Sequence, residues 1–291
     1  MKILVLGSKG QLGQCLFDQF SNTSHEITFT SRINIDISRF NDTKKSILDI
    51  DPDVVINAAA YTSVDKAEEE RVIADVINHL AVSNLAEICA ELSCWLIHIS
   101  TDYVFDGFSN KPYVEIDVTN PQGAYGLSKL KGELAIQASG CKYLIIRTSW
   151  VFSEYGNNFM KTMLRLGAVK NELTVVGDQI GCPTFAQDLA KAIVRTLDYL
   201  ISEDVVGVYH LCGDKKCSWY EFAREIFLQA GEAGLSIPAE LHSIATSEYP
   251  TIAPRPSYSV LNTKKFCDKF DVTALIWRNG ITSVLKSLNP T

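Results

Sequence analysis

"MKILVLGSKGQLGQCL", residues 1–16, decides the fold. "KILVLG" is a short apolar run of the kind that makes a strand buried on both faces. It ends in Gly7-x-x-Gly10-x-x-Gly13, and an amphipathic stretch, "GQCLFDQFSN", follows at once. Glycines at such a turn permit a tight reversal, close backbone approach to a pyrophosphate and close helix–strand contact. The free N–H groups and dipole of the helix start favour an anion there. The loop is a variant of the G-x-G-x-x-G fingerprint, with its first two glycines three positions apart instead of two. Its place at the first strand–helix turn marks it as a dinucleotide site.

Outward from this turn the pattern repeats. "EITFTS", "VVINAA", "WLIHIS" and "YLIIRTSW" read as further strands, and "GVYHLC" as a late one. Between them lie the helical stretches "FNDTKKSILDI", "ADVINHLAVSNLAEICAEL" and "YGLSKLKGELAIQAS". In the second of these Val76, Leu80, Leu85, Ile88 and Leu92 recur at helical spacing. Apolar strands alternating with helices predict an α/β fold, a Rossmann-like doubly wound parallel sheet. From about Val151 the alternation breaks. "PTFAQDLAKAIVRTLDYL" and "SWYEFAREIFLQAG" read as helices, the latter with Ser218 and Glu221 in a capping-box pattern. "YPTIAPRPSYSVLNTKKF" holds three prolines and predicts extended loop before a last helix. The expected division is a dinucleotide-binding domain of residues 1–152 plus about 185–212. A smaller C-terminal substrate-binding lobe takes about 153–184 and 213–291.

Composition narrows the function. The 291 residues carry a net charge of −7 and are 46% hydrophobic, which fits a globular protein without a basic surface for nucleic acid or anionic membrane. Apolar runs such as "DVVINAAAY" are too short to span a bilayer, and the N-terminus lacks a signal-peptide pattern. Eight cysteines show no C-x-x-C pair, and five histidines no H-x-x-x-H grouping. The expectation is a cytoplasmic protein with reduced, buried thiols and no structural metal site.

The second strand ends "FTSRINIDIS", with Arg32 and no acid before Asp36. Arg32 can pair with a 2′-phosphate, so NADPH is the expected coenzyme and NADH the alternative. Asp36 is placed for the adenosine end. The fourth strand ends in Ser100, Thr101 and Asp102, and Tyr125 and Lys129 stand one helical turn apart on the next helix. Reducing a ketone requires a proton for its oxygen, which a free tyrosine gives up poorly near neutrality. An ammonium ~4 Å away favours phenolate by about 4 kcal/mol at an effective dielectric near ~20. Tyr125 is therefore the expected proton donor, Lys129 its tuner and Thr101 a holding hydroxyl.

These residues resemble the extended short-chain dehydrogenases/reductases. Further blocks resemble the dTDP-4-dehydrorhamnose reductase family: "GQLG" (10–13), "NAAAYTSVDKAE" (57–68), "STDYVFDG" (100–107), "RTSWVF" (147–152), "DQIGCPT" (178–184) and "RPSYSVLNT" (255–263). The resemblance implies NAD(P)H-dependent reduction at C4 of dTDP-4-dehydro-6-deoxy-L-mannose. It implies Gly10, Gln11 and Leu12 at the pyrophosphate, Asp36 and Ile37 at the adenosine, and Ala60, Tyr61, Thr62 and Ile99 along the coenzyme. Thr101, Asp102 and Trp150 would touch the sugar. Arg255, a guanidinium in the proline-rich loop, is a further candidate for the substrate diphosphate. Some members of the family bind magnesium at a dimer interface through glutamates, one of them early in the first helix. Here Gln14 and Cys15 stand there, so no metal is expected, and the assembly is left as monomer or homodimer. The alternatives are a reductase or epimerase of another nucleotide sugar, or a regulatory subunit that keeps the nucleotide site without chemistry.

Overall fold

The computed structural model describes residues 1–21, 23–200 and 205–288. Asn22, at the end of the first predicted helix, and residues 289–291 of the predicted second lobe lie outside the described residues. The apolar run at the start forms β1 (Lys2–Leu6), with Ile3, Leu4 and Val5 fully buried. It pairs in parallel with β2 (Glu26–Thr30) on one side and β3 (Val54–Asn57) on the other. β4 (Trp95–Thr101), β5 (Lys142–Thr148) and the late strand Gly207–His210 extend the sheet beyond β3, all in parallel. The six-stranded order is therefore Gly207–His210, β5, β4, β3, β1, β2. Because β2 and β3 lie on opposite sides of β1, the strand order reverses there and opens a crevice at the sheet's carboxyl edge.

Helices cover both faces. Against one lie Leu12, Leu16 and Phe20 of α1 (Gln11–Phe20). Against the other lie Ile47 of α2 (Phe40–Ile50) and, later in the chain, residues 81–89. After the short α3 (Lys66–Glu69), the helix α4 (Arg71–Asp75), one π turn (Val76–Leu80) and α5 (Ala81–Leu92) run on as one helix, residues 71–92. By length and composition alone this 22-residue helix could cross a membrane, with mean hydropathy 1.3, so the reading of short apolar runs understated it. Its apolar face instead packs on the sheet through Ala81, Val82, Leu85, Ala86 and Ile88. The π turn presents Asn78, whose amide donates to the Tyr61 carbonyl and to the Ser128 hydroxyl, both at 3.0 Å. Asn78 thereby joins the loop after β3 to α6 (Ala124–Ala138), and Gly132 is bare because any Cβ would strike the Asn78 carbonyl.

A second core gathers Phe152, Met160, Phe222 and Trp277. It is built from α7 (Phe159–Gly167), from the parallel strands Glu172–Val176 and Glu240–Ile244, and from helices later in the chain. α8 (Ala186–Thr196) returns to the first core beside α1. α9 (Trp219–Glu232) starts with the predicted box: the Glu221 N–H donates to the Ser218 hydroxyl at 3.1 Å, and the Ser218 N–H to the Glu221 carboxylate at 2.8 Å. The proline-rich stretch forms an extended strap that bridges to Tyr113 and Ile180. Two helices follow it instead of one, α10 (Lys264–Phe270) and α11 (Trp277–Leu288). The break comes at Asp271, whose φ of 50° is left-handed and ends α10.

Candidate active site

The crevice is built by its glycines. Gly7 has a φ of +83°, and a Cβ there would lie 2.7 Å from the Ala59 nitrogen, so the loops after β1 and β3 touch backbone to backbone. A Cβ on Gly13 would strike the Gly7 carbonyl, which fixes α1 against its own turn. Gly10 caps α1 without a side chain, and no acidic residue stands in the first turn. The helix start thus keeps its positive end free for an anion. The cleft beside it encloses about 270 Å³. Of the residues expected here, it gathers Gly7, Gly10, Arg32, Asp36, Ile37 and Ala60. It also gathers Lys9, Ser31, Ala58, Ala59 and Ile77, which the sequence reading passed over. Lys9 sat inside the glycine motif and was legible as a second cation there.

Arg32 donates to Asp36 at 3.1 Å and is otherwise open to solvent. Burial alone would raise the Asp36 carboxyl, yet hydrogen bonds from Ser38 and Arg32 hold it below the usual range. Gln11, Leu12, Gly13, Tyr61, Thr62 and Ile99 do not line this cleft. The Gln11 side-chain oxygen accepts from Ser153 at 3.0 Å and Asn158 at 2.8 Å, tying the turn to the second core. Leu12 is buried in the first core. The Tyr61 phenol donates to Glu70 at 2.6 Å, and that bond raises it to about 12. Thr62 is exposed.

At the end of β4 the Thr101 hydroxyl accepts from the Tyr103 N–H at 3.2 Å and lies 3.0 Å from the Asp102 carboxylate. Tyr125, in the first turn of α6, meets the Tyr103 ring edge-on at 5.7 Å. α6 can come this close because Gly126 lies against the Tyr103 carbonyl. Burial pushes the Tyr125 phenol well above its ordinary value, a hydrogen bond with Thr101 draws it down, and the Asp102 charge raises it further. Asp102 is 2% exposed, one of its oxygens has no partner, and burial raises its carboxyl to about 6.

Lys129 departs from expectation. Its ammonium was expected to depress Tyr125, but it donates to the Ile99 carbonyl at 2.6 Å and meets His98 Nε2 at 3.1 Å. The perturbation falls on the lysine itself: burial lowers it to about 8, against an upward pull from Glu133. Spacing brings one charge against another but says nothing of the water lost around both.

Trp150 stands at the end of β5 with a φ of 47°, a strained backbone for an aromatic residue. Its indole stacks on Trp219 with centroids 3.4 Å apart, and Gly181 leaves room for it. Arg255 does not stand free for a diphosphate. It pairs with Asp65 at 2.6 Å, which fastens the proline strap to the loop after β3. Near Gln14, Gln187 donates to Asp18 at 2.6 Å and lies 3.2 Å from Glu154. Among the described residues no three His, Cys, Asp or Glu side chains are grouped to hold a metal ion.

A glycine turn at the sheet's crevice, a hydroxyl at the end of β4 and a Tyr-x-x-x-Lys helix behind it define an extended short-chain dehydrogenase/reductase. Comparison with known proteins narrows the class. The chain belongs to the RmlD substrate binding domain family, whose model matches residues 1–289. It is 40% identical to the dTDP-4-dehydrorhamnose reductase of Escherichia coli (strain K12), over 99% of this chain and 98% of that one. The solved dTDP-4-dehydrorhamnose reductase of Clostridium acetobutylicum superposes with a TM-score of 0.92 at 38% identity, covering 99% of each chain. That of Bacillus anthracis, solved in complex with NADP, superposes with a TM-score of 0.91 at 34% identity, covering 98% of this chain and 99% of that one.

Proposed function

We propose that this chain is an NADPH-dependent reductase, with NADH as a second coenzyme. Its substrate is the C4 ketone of dTDP-4-dehydro-6-deoxy-L-mannose and its product dTDP-L-rhamnose. The observation that carries the reading is the Tyr125–Thr101 hydrogen bond at the end of β4, with Lys129 on the next turn of α6 held at the Ile99 carbonyl, in a chain whose relatives of the same length are named dTDP-4-dehydrorhamnose reductases. The cleft fits the adenosine end of a dinucleotide, since Gly7 and Gly10 bring bare backbone to its wall and the start of α1 beside it is uncapped. Bound there, the coenzyme supplies the hydride. Lys9 and Arg32 are the cations that would meet a 2′-phosphate, with Asp36 and Ile37 beside the adenosine.

Tyr125 gives its phenolic proton to the oxygen of the carbonyl. Its raised value keeps it protonated until the oxyanion develops, and Thr101 holds the phenol in line. Asp102, buried and half-neutral near pH 6, keeps one oxygen for a sugar hydroxyl. Trp150, held flat by Trp219, offers its face to the apolar side of the deoxysugar. The reading divides the chain into residues 1–152 plus about 185–212 for the coenzyme and about 153–184 and 213–291 for the substrate, and it places the work in the cytoplasm.

The test is NADPH oxidation by the purified chain, with the keto sugar generated in place from dTDP-glucose. Turnover that Tyr125→Phe abolishes is the expected result. No turnover with either coenzyme, in a chain that still binds NADPH, would assign it to another nucleotide sugar or to a regulatory role.

A further inference from the structure

His98 is fully buried on β4, directly behind the catalytic pair. Its Nδ1 lies 3.1 Å from the Asn57 amide nitrogen and its Nε2 lies 3.1 Å from Lys129 Nζ. The orientation of Asn57 is not free. Its side-chain oxygen accepts the Ala59 N–H at 3.1 Å, so its NH₂ must face the ring. A neutral imidazole has one N–H and one lone pair. With Asn57 donating to Nδ1, the ring hydrogen belongs on Nε2, where it points at Lys129.

That hydrogen is welcome only to a neutral amine, whose lone pair accepts it while its own N–H donates to the Ile99 carbonyl. An ammonium needs Nε2 as an acceptor. The ring hydrogen would then sit on Nδ1 against the Asn57 amide hydrogens, or Asn57 would flip and set its NH₂ against the Ala59 N–H. Either way a buried donor loses its acceptor. We propose that His98, oriented by Asn57, is a positioning residue that opposes the ammonium form of Lys129 and so primes this lysine to pass a proton toward Tyr125. The inference rests on the reductase reading above.

The proton balance is simple. Tyr125 loses its proton to the substrate oxygen and becomes phenolate. Lys129 NH₃⁺ resupplies the phenolate, and the resulting amine accepts the Nε2–H of His98. Solvent protons restore the ammonium.

Other charges near Lys129 do not perform this task. Glu133, one turn on, is held by Arg147 of β5 and Ser100 of β4. Asp102 acts on Tyr125, where its charge raises the phenol. Asp75 of the long helix meets both its own helix's His79 and Lys131 of α6 in a partly exposed cluster, with Lys131 at 2.9 Å. Burial lowers Lys129 in the same direction, against an upward pull from Glu133.

Two measurements decide it. In His98→Gln the amide oxygen is a permanent acceptor for the ammonium. The alkaline limb of kcat/KM for ketone reduction should move up by about one pH unit, with the KM for NADPH unchanged. A limb that stays in place overturns the proposal. Nitrogen-15 NMR of the wild-type imidazoles, with His98 assigned by its loss in the variant, should give the Nε2–H tautomer above the titration of Lys129. An Nδ1–H tautomer throughout overturns it as well. The tautomer needs no turnover, so a wild-type chain inactive on the keto sugar would sink the reductase reading and still leave His98 decided by NMR.

Discussion

Helix α6 carries two buried charges one turn apart, and the surroundings treat them in opposite ways. Glu133 is 0% exposed, and Arg147 meets it through Nε at 3.0 Å and Nη2 at 2.6 Å while Ser100 donates from β4. Lys129 is 2% exposed and has no carboxylate within bonding distance, only a carbonyl and an imidazole. The glutamate is saturated with hydrogen bonds to a cation and acts as a structural pin between α6, β4 and β5. The lysine is stripped of water and given neutral partners, so its proton is loosely held. The lesson is that burial beside a countercharge fixes a charge, whereas burial without one loosens a proton.

Ways to break this contrast follow in order of size. Tyr125→Phe should lower kcat by about 10³-fold while leaving NADPH binding intact, measured by turnover and by fluorescence titration of the coenzyme. A loss below tenfold would move the proton donor elsewhere. Glu133→Leu strands a buried guanidinium and should cost about 3–5 kcal/mol of stability in urea unfolding. Pairing it with Arg147→Met should recover most of that loss. A single variant as stable as the wild type would show that the pin carries no weight.

The third concerns pH. Lys129 is lowered to about 8 in the fold from 10.5, so between these values the unfolded chain binds the extra proton. The penalty for folding is complete below pH 8 and is relieved as pH rises toward 10.5. Against Lys129→Met, the wild type should therefore gain stability over that window, by on the order of 3 kcal/mol. A stability difference between the pair that stays constant over this window in melting curves would show that the deep burial of Lys129 is absent. The smallest effect belongs to Arg255→Ala. Its partner Asp65 is 42% exposed, so stability should fall by about 1 kcal/mol or less. A large rise in substrate KM in the same variant would return Arg255 to the diphosphate.

Much of this was legible in the chain. The sheet followed from runs such as "KILVL" and "VVIN" because strands buried on both faces admit little but apolar residues. The Ser218 box was legible because a cap is local chemistry. What escaped depended on partners distant in sequence. Asn57 and His98 lie on neighbouring strands, and Asp65 meets Arg255 across 190 residues. The second late helix was hidden because α10 is short and ends in the left-handed Asp271, with residues 271–276 before α11 begins. The tyrosine–lysine pair is legible from its spacing, but its electrostatics are not, since spacing carries no information about water.

The late strand Gly207–His210 also sets a timetable for synthesis. A chain emerging from the ribosome delivers β5 early, with Leu144, Ile145 and Ile146 destined for full burial. The partner that covers that edge arrives only after the first half of the second core has been made. Until then the nascent sheet presents an open, apolar edge, the kind that recruits other chains. Stopping translation before residue 207 would therefore yield a sticky fragment rather than a small coenzyme-binding module, and the two halves of this protein must mature together.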